Sequence, residues 1–231
     1  MMFDLSSEQQ VARDKARAFA ADILQSHAEG IDRSASIPAE IARDAAALIG
    51  DDALSAVLAT EAVATASAAV AVHAAGVNTG GAPLGLSGLR GANALEVSPA
   101  THLVLAAVAL GIGQAAIDAA LAQLKSAVVA ATSVEKPHWV VADAATELEA
   151  ARLMTYKAAH TKADADIALA RLTASSAAHH CVDAALRVTG TAALQTGAVL
   201  DRLARDVRAA GLVMGTEDDQ RAMAADALLP L

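Results

Sequence analysis

The chain has 231 residues, of which 55% are hydrophobic, and a net charge of -9, long enough for one sizeable core or two small ones. Aromatic residues are only 2%, so the core must be built from Ala, Leu and Val, with few flat rings for stacking a cofactor. The negative balance leaves no basic phosphate-binding stripe, which excludes nucleic acid as a partner, and it opposes anionic ligands wherever local basic residues do not reverse it.

Alanine is the strongest helix former, and no alternating stretch of β-branched residues stands out, so an all-α helical bundle is expected. The opening MMFDLSSEQQ is acidic and polar and does not read as a signal peptide. The single cysteine, Cys181, allows no internal disulfide and fits a cytoplasmic setting.

The first helix is predicted from Ser6 to about His27, with Ser6 and Gln9, or Ser7 and Gln10, as a capping box. Ala12, Ala16, Phe19 and Ile23 share its apolar face. A short helix should open at Pro38 as its first helical residue and end near Gly50. Asp51 or Asp52 then caps a third helix reaching about Ala75.

Gly76–Pro99 interrupts the pattern with six glycines and two prolines. A phosphate-cradling loop would need a preceding strand and a following Gly-Lys-Ser/Thr, and neither is present, so the stretch reads as a connector. The organisation expected is 1–76 as an N-terminal helical part, 77–100 as the connector and 101–231 as a C-terminal helical bundle.

Thr101–Ala131 is predicted to be the central helix, apolar on nearly every side and therefore covered by neighbours. Gln114, Asp118, Gln123 and Lys125 mark its wet stripe. Polar residues interrupt both candidate spans, Ala53–Val77 with Glu61 and His73 and the central helix with Gln114 and Asp118, so buried helices are favoured over membrane spans.

Pro137 opens a fifth helix to about Ala163, burying Val141, Ala144, Leu148, Ala151, Thr155 and Ala158. A sixth helix has Ile167, Ala170, Ala174, Ala177, Cys181, Ala184 and Val188 in phase and stops at Gly190. A seventh spans Leu200–Ala210, with Asp201–Arg205 and Arg202–Asp206 able to pair one turn apart. Gly211–Gly215 is expected to be a kink or loop, after which Thr216 caps a last helix to about Leu228.

Four segments, in order, resemble the acyl-CoA dehydrogenase family. LSSEQQVARDKARAFAADIL with HAEGIDRSASIPAEI resembles the family's N-terminal opening. LVLAAVALGIGQAAIDAALAQLK and DAATELEAARLMTY resemble two long helices of its C-terminal domain. LDRLARDVRAAGLVMGTEDDQ resembles the closing segment, which in active members reads close to V-E-R-x-x-R-D-x-R, then Y-E-G-T-x-x-x-Q.

The resemblance implies an FAD-dependent oxidoreductase framework, and the departures limit it. Active members place a β-barrel between their helical domains, over the flavin and part of the acyl-CoA; here only Gly76–Pro99 separates those domains, far too little for a barrel. The family's catalytic base is the Glu before Gly-Thr, aligned here with Met214, and in some branches a Glu aligned here with Thr101. Neither side chain can take a proton from a thioester α-carbon. The family's Arg-x-Gln-Phe-Gly turn has no counterpart, and its Gly-Gly-x-Gly turn reads Gly190-Thr191-Ala192-Ala193.

Residual flavin contacts would fall on Gly190, Gly215, Thr216 and Gln220, beside an Arg205-Asp206 pair; the competing reading makes these turn, cap and ion-pair residues. His179, His180, Cys181 and Asp183 do not converge as a metal site requires, so no metal is expected. Glu147, Glu149 and Arg152 read as a solvated helix face, and Trp139 as a packing residue.

The function expected is a non-catalytic acyl-CoA dehydrogenase-like chain, acting as a scaffold or partner subunit, with FAD more reasonably absent than bound. The alternative is a flavin-linked acyl-CoA oxidoreductase completed by another subunit. Ala-rich helix faces suit burial between chains, so a homo-oligomer, or a hetero-oligomer with a complete acyl-CoA dehydrogenase-like chain, is expected.

Overall fold

The computed structural model describes residues 4–78, 98–126, 136–195, 197–213 and 216–229. Among them every regular element is a helix: α1 (Ser7–Phe19), a π-helical turn (Ala20–Leu24), α2 (Gln25–Ser34), α3 (Ala39–Ala46), α4 (Ala53–Ala66), α5 (Ala68–Asn78), α6 (Pro99–Ser126), α7 (Pro137–Thr161), α8 (Asp164–Thr189), a 3-10 turn (Gly190–Leu194), α9 (Val199–Val213) and α10 (Glu217–Leu228). The all-α bundle expected from the alanine content is the fold found.

The N-terminal capping box is the predicted one. Ser6 Oγ accepts from the Gln9 amide at 3.2 Å while Gln9 Oε1 accepts from the Ser6 amide at 3.0 Å. The helix does not stop near His27, however. It passes through the π turn at 20–24 and runs on as α2 to Ser34, ending where Ala35 turns left-handed at φ 50°. Leu24, Ala28 and Ile31 continue the buried stripe of Ala16, Phe19 and Ala20, so tertiary burial carries the helix past its polar stretch. Pro38 is the cap of α3 and not its first helical residue.

The third predicted helix is two. Ser67 takes an extended conformation (φ -155°, ψ 112°) between α4 and α5, and its hydroxyl accepts from the Val70 amide at 3.4 Å. A serine that can satisfy backbone donors locally favours such a break over helix continuation. Asp52, of the two candidate caps, is the one used, accepting from the Ser55 amide at 2.9 Å.

Most of the predicted connector, residues 79–97, lies outside the described residues, as do 127–131 at the end of the predicted central helix. Within the described part, α6 is the central member, packed against α4 on one side and α7, α8 and α9 on the other. Every residue from Thr101 to Gly113 is buried, while Asp118 and Lys125 are exposed and Gln114 and Gln123 half-buried, matching the predicted wet stripe. It is the one described helix long and apolar enough to cross a membrane, and 83% of its apolar window is buried inside the protein.

Gly111 and Gly113 let α6 approach both sides closely. A Cβ on Gly111 would lie 2.4 Å from Ala64 Cβ and 2.5 Å from the Glu61 carbonyl oxygen in α4. On Gly113 it would lie 2.8 Å from Leu148 Cδ1 in α7 and 3.4 Å from Ala178 Cα in α8. With buried alanines at most facing positions, the helix axes come near enough for backbone to touch side chain.

The faces predicted for α7 and α8 are buried as expected, apart from Val188, which is half-buried. Gly190 stops α8 at φ 70°, ψ -153°, a region open to glycine. The α9 helix continues through Gly211 to Val213, past the expected kink. The Asp201–Arg205 pair forms at 3.2 Å. The Arg202–Asp206 pair does not, because buried Arg202 instead donates to the Ala66 carbonyl at 3.1 Å. Nor does Arg205 pair with Asp206; it grips both carboxylate oxygens of Asp32 in α2, at 2.9 and 2.8 Å.

Candidate functional site

A cleft of 930 Å³ lies where α1 and the π turn cross α4, α6 and α7. Its volume is within the range of small-molecule sites. The apolar part of the wall is Ala20, Ala21, Ala62, Ala115 and Ala119 with Leu5, Leu58 and Val199, and the rest is long polar or charged side chains.

The floor is a polar network centred on Glu61, which sits in an otherwise apolar α4 and is 8% exposed. Arg152 Nε donates to Glu61 Oε1 at 2.8 Å, and the Tyr156 hydroxyl donates to Glu61 Oε2 at 2.8 Å. Arg152 Nη2 donates to Gln114 Oε1 at 2.7 Å, and Nη1 to Glu149. Gln114 Nε2 in turn donates to Asp118 at 3.0 Å. Three helices are thereby joined through one guanidinium.

Burial works against the Arg152 charge, but Glu61, with Glu149 behind it, more than restores it, and the guanidinium stays ionised. Burial and then the Glu61 charge push the Tyr156 phenol upward, so it remains a neutral donor. A carboxylate with both oxygens occupied in this way binds and orders its neighbours; it is not free to abstract a proton.

This arrangement corrects the reading of Arg152 as part of a solvated face, while Glu149, its side chain 57% exposed, is solvated as expected. Arg152 has a side-chain exposure of 16%, and both residues line the cleft. Glu147 diverges from them and pairs with His180 at 2.7 Å. Sequence reasoning missed Glu61 as the shared partner of Arg152 and Tyr156. The available signal was one acid inside a uniformly apolar helix, which burial tolerates only with a cation nearby.

The other predicted positions lie elsewhere. Thr101 is buried in the first turn of α6, where its hydroxyl meets Ser98 Oγ at 2.9 Å and its amide donates to Ser98 Oγ at 3.2 Å. Met214 and Gly215 lie outside the described residues. Thr216 forms a capping box with Asp219, its hydroxyl donating to the carboxylate at 2.8 Å. Gln220, 1% exposed, is buried on α10. Gly190 ends α8 with nothing within 4 Å of where a Cβ would sit.

Gly190, Thr216 and Gln220, the described members of the residual flavin set, are not placed to hold a flavin. Gly190 is not a cradle that a side chain would fill, Thr216 spends its hydroxyl on the helix cap, and Gln220 is enclosed. None of them lines the cleft.

Among the described residues no group of three or more His, Cys, Asp or Glu is placed to hold a metal. Cys181 is fully buried and donates to the Ala144 carbonyl at 3.5 Å, and burial pushes its thiol up to about 12, so it carries no thiolate. Trp139 is not packed inside: it is 59% exposed, with the Lys136 ammonium 4.5 Å above its ring.

The helical fold and the order of its elements define a class, the acyl-CoA dehydrogenase C-terminal bundle with N-terminal helices added. The family described as "Acyl-CoA dehydrogenase, C-terminal domain" matches residues 99–229. The chain belongs to the acyl-CoA dehydrogenase family. It is 34% identical over 154 residues to the short-chain specific acyl-CoA dehydrogenase, mitochondrial, of Bos taurus, a match covering 63% of this chain and 37% of that protein. It is also 34% identical over 153 residues to 3-sulfinopropanoyl-CoA desulfinase of Paraburkholderia xenovorans, covering 63% and 38%. The chain therefore spans under two fifths of the curated relatives it matches. In fold it resembles butyryl-CoA dehydrogenase of Megasphaera elsdenii, with a TM-score of 0.82 at 18% identity over 99% of this chain and 100% of that one.

Proposed function

We propose that this chain is a non-catalytic member of the family, a scaffold or partner subunit that docks on a complete acyl-CoA dehydrogenase-like chain. The observation that carries the reading is the fate of its carboxylates. Glu61 is the only acid among the buried described residues, and both its oxygens are held by Arg152 and Tyr156. Thr101 and Met214 stand at the family's base positions. Dehydrogenation of a thioester requires a free carboxylate to remove the α-proton while hydride leaves the β-carbon, and the buried carboxylate of Glu61 is not free.

What supports docking is the set of large apolar side chains left exposed on the bundle, Val11, Ile23, Leu121, Trp139, Leu153 and Val199. The test is absorption spectroscopy of the purified chain with FAD, followed by acyl-CoA oxidation assays with an added electron acceptor. Colourless, inactive protein that co-elutes with a complete family member from the same cell, by light scattering, is the expected result. A flavin absorption band with turnover by the isolated chain would overturn the proposal. Flavin and turnover appearing only in a mixed complex would favour the alternative, an oxidoreductase completed by another subunit.

A further inference from the structure

Besides the engaged network on its floor, the cleft between the N-terminal helix and α4, α6 and α7 has a second polar feature. Arg17 reaches it from α1 and, among the described residues, makes no hydrogen bond or ion pair. Arg13, one turn earlier on the same face, gives its Nε to Asp14 at 3.0 Å. The other charged side chains lining the cleft are partnered: Arg152 with Glu61 and Glu149, and Asp118 with Gln114. An exposed guanidinium without a partner among the described residues therefore borders a cleft whose apolar wall is mostly alanine.

The backbone at this place is also irregular. The π turn at Ala20–Leu24 widens the helix where it borders the cleft, and Ala20 and Ala21 within it line the space. Such single π turns occur frequently at functional sites.

We infer that the cleft binds a small amphipathic carboxylate, its head on Arg17 with Arg13 beside it and its apolar body against Ala20, Ala21, Ala62 and Ala119. A carboxylate matches the planar fork of arginine. The three acids that also line the cleft select against a dianion such as phosphate, because a single negative charge meets less repulsion than two. The apolar wall rewards a hydrocarbon body that acetate lacks. This inference is independent of the partner-subunit reading: binding would need neither a second chain nor a flavin, so either can fail without the other.

The experiment is isothermal titration of the full chain with octanoate, and in parallel with octanamide, acetate and inorganic phosphate. Octanoate is expected to saturate one site, with each of the other three at least about tenfold weaker. Arg17→Gln, a change at an exposed position, should weaken octanoate about tenfold, the loss expected for one charge-assisted hydrogen bond. Ala119→Leu should abolish binding by filling the space, with circular dichroism confirming that both variants fold. No saturable octanoate binding, octanoate binding unchanged in either variant, octanamide or acetate binding as tightly as octanoate, or phosphate matching octanoate would each overturn the assignment.

Discussion

Arg152 Nε and Glu61 Oε1 stand 2.8 Å apart, joining two helices through residues that are 91 positions apart in the chain. The side chains are 16% and 11% exposed, so the pair is largely withdrawn from water. Removing one partner of such a pair strands the other charge, whereas replacing both can cost far less. Glu61→Ala is expected to destabilise the chain by about 3 kcal/mol in urea unfolding. The double variant Glu61→Leu with Arg152→Met should lose less than either single change. A strictly additive double variant would mean that the two residues act independently.

The close approach of α4 to α6 gives a paired prediction on two glycines. Gly111→Ala would drive a Cβ to 2.4 Å from Ala64 Cβ, forcing the helices apart at a cost of about 1–3 kcal/mol. Gly30→Ala in α2 meets nothing within 4 Å and should stabilise by about 0.5–1 kcal/mol through helix propensity alone. Thermal unfolding of the two variants should therefore move in opposite directions.

Stability should depend on pH in two windows. Asp206, chiefly through burial, is raised from its ordinary 3.8 to about 6. Between these values the folded chain holds a proton that the unfolded chain has lost, so Asp206 costs stability progressively as pH rises from about 4 to 6. Asp206→Asn should raise stability at pH 7 by about 2 kcal/mol and leave it unchanged below pH 4. Asp32 is lowered, first by its hydrogen bond from Arg205, and Asp52 by the Ser55 amide, so their contributions are present above about pH 4 and are lost as pH falls through the lowered values. Urea midpoints measured from pH 3 to 8 would check both windows, and an Asp206→Asn profile parallel to that of the parent chain would contradict the assignment.

Thr216 separates structural from cofactor roles. Thr216→Ala should cost about 1 kcal/mol by losing the cap on α10, and Thr216→Ser should restore it. A contact that served flavin and not the cap would leave unfolding unchanged in Thr216→Ala while altering the absorption of protein mixed with FAD.

The helices were legible in the sequence because a period near 3.6 over an alanine-rich chain leaves few alternatives, and burial of Val141, Ala144, Leu148 and Ala151 follows from spacing alone. The interruptions were less legible. Ser67 breaks a run whose composition favours continuation, and the extra residue in the π turn leaves no compositional mark. The network was hidden for another reason. Glu61, Gln114 and Arg152 meet only after three helices have packed, and of the three only Glu61, an acid inside an apolar helix, left a mark in the sequence. Arg205 likewise had a partner at helical spacing, Asp201, but its bidentate grip on Asp32 depends on where α2 ends.

The π turn has a consequence for the length of the N-terminal segment. A helix that closes one turn with an additional residue has rotated everything beyond it by roughly 100° relative to an uninterrupted α-helix. Deleting Ala21 would let the hydrogen-bonding pattern become regular. It would leave Leu24, Ala28 and Ile31 facing the core and Asp32 near Arg205, because losing one residue and regularising the turn rotate the helix by equal and opposite amounts. The segment from Ser7 to Ser34 can therefore shrink by one residue at that point and keep its docking face, whereas a deletion in the regular helix on either side would rotate everything beyond it by roughly 100°.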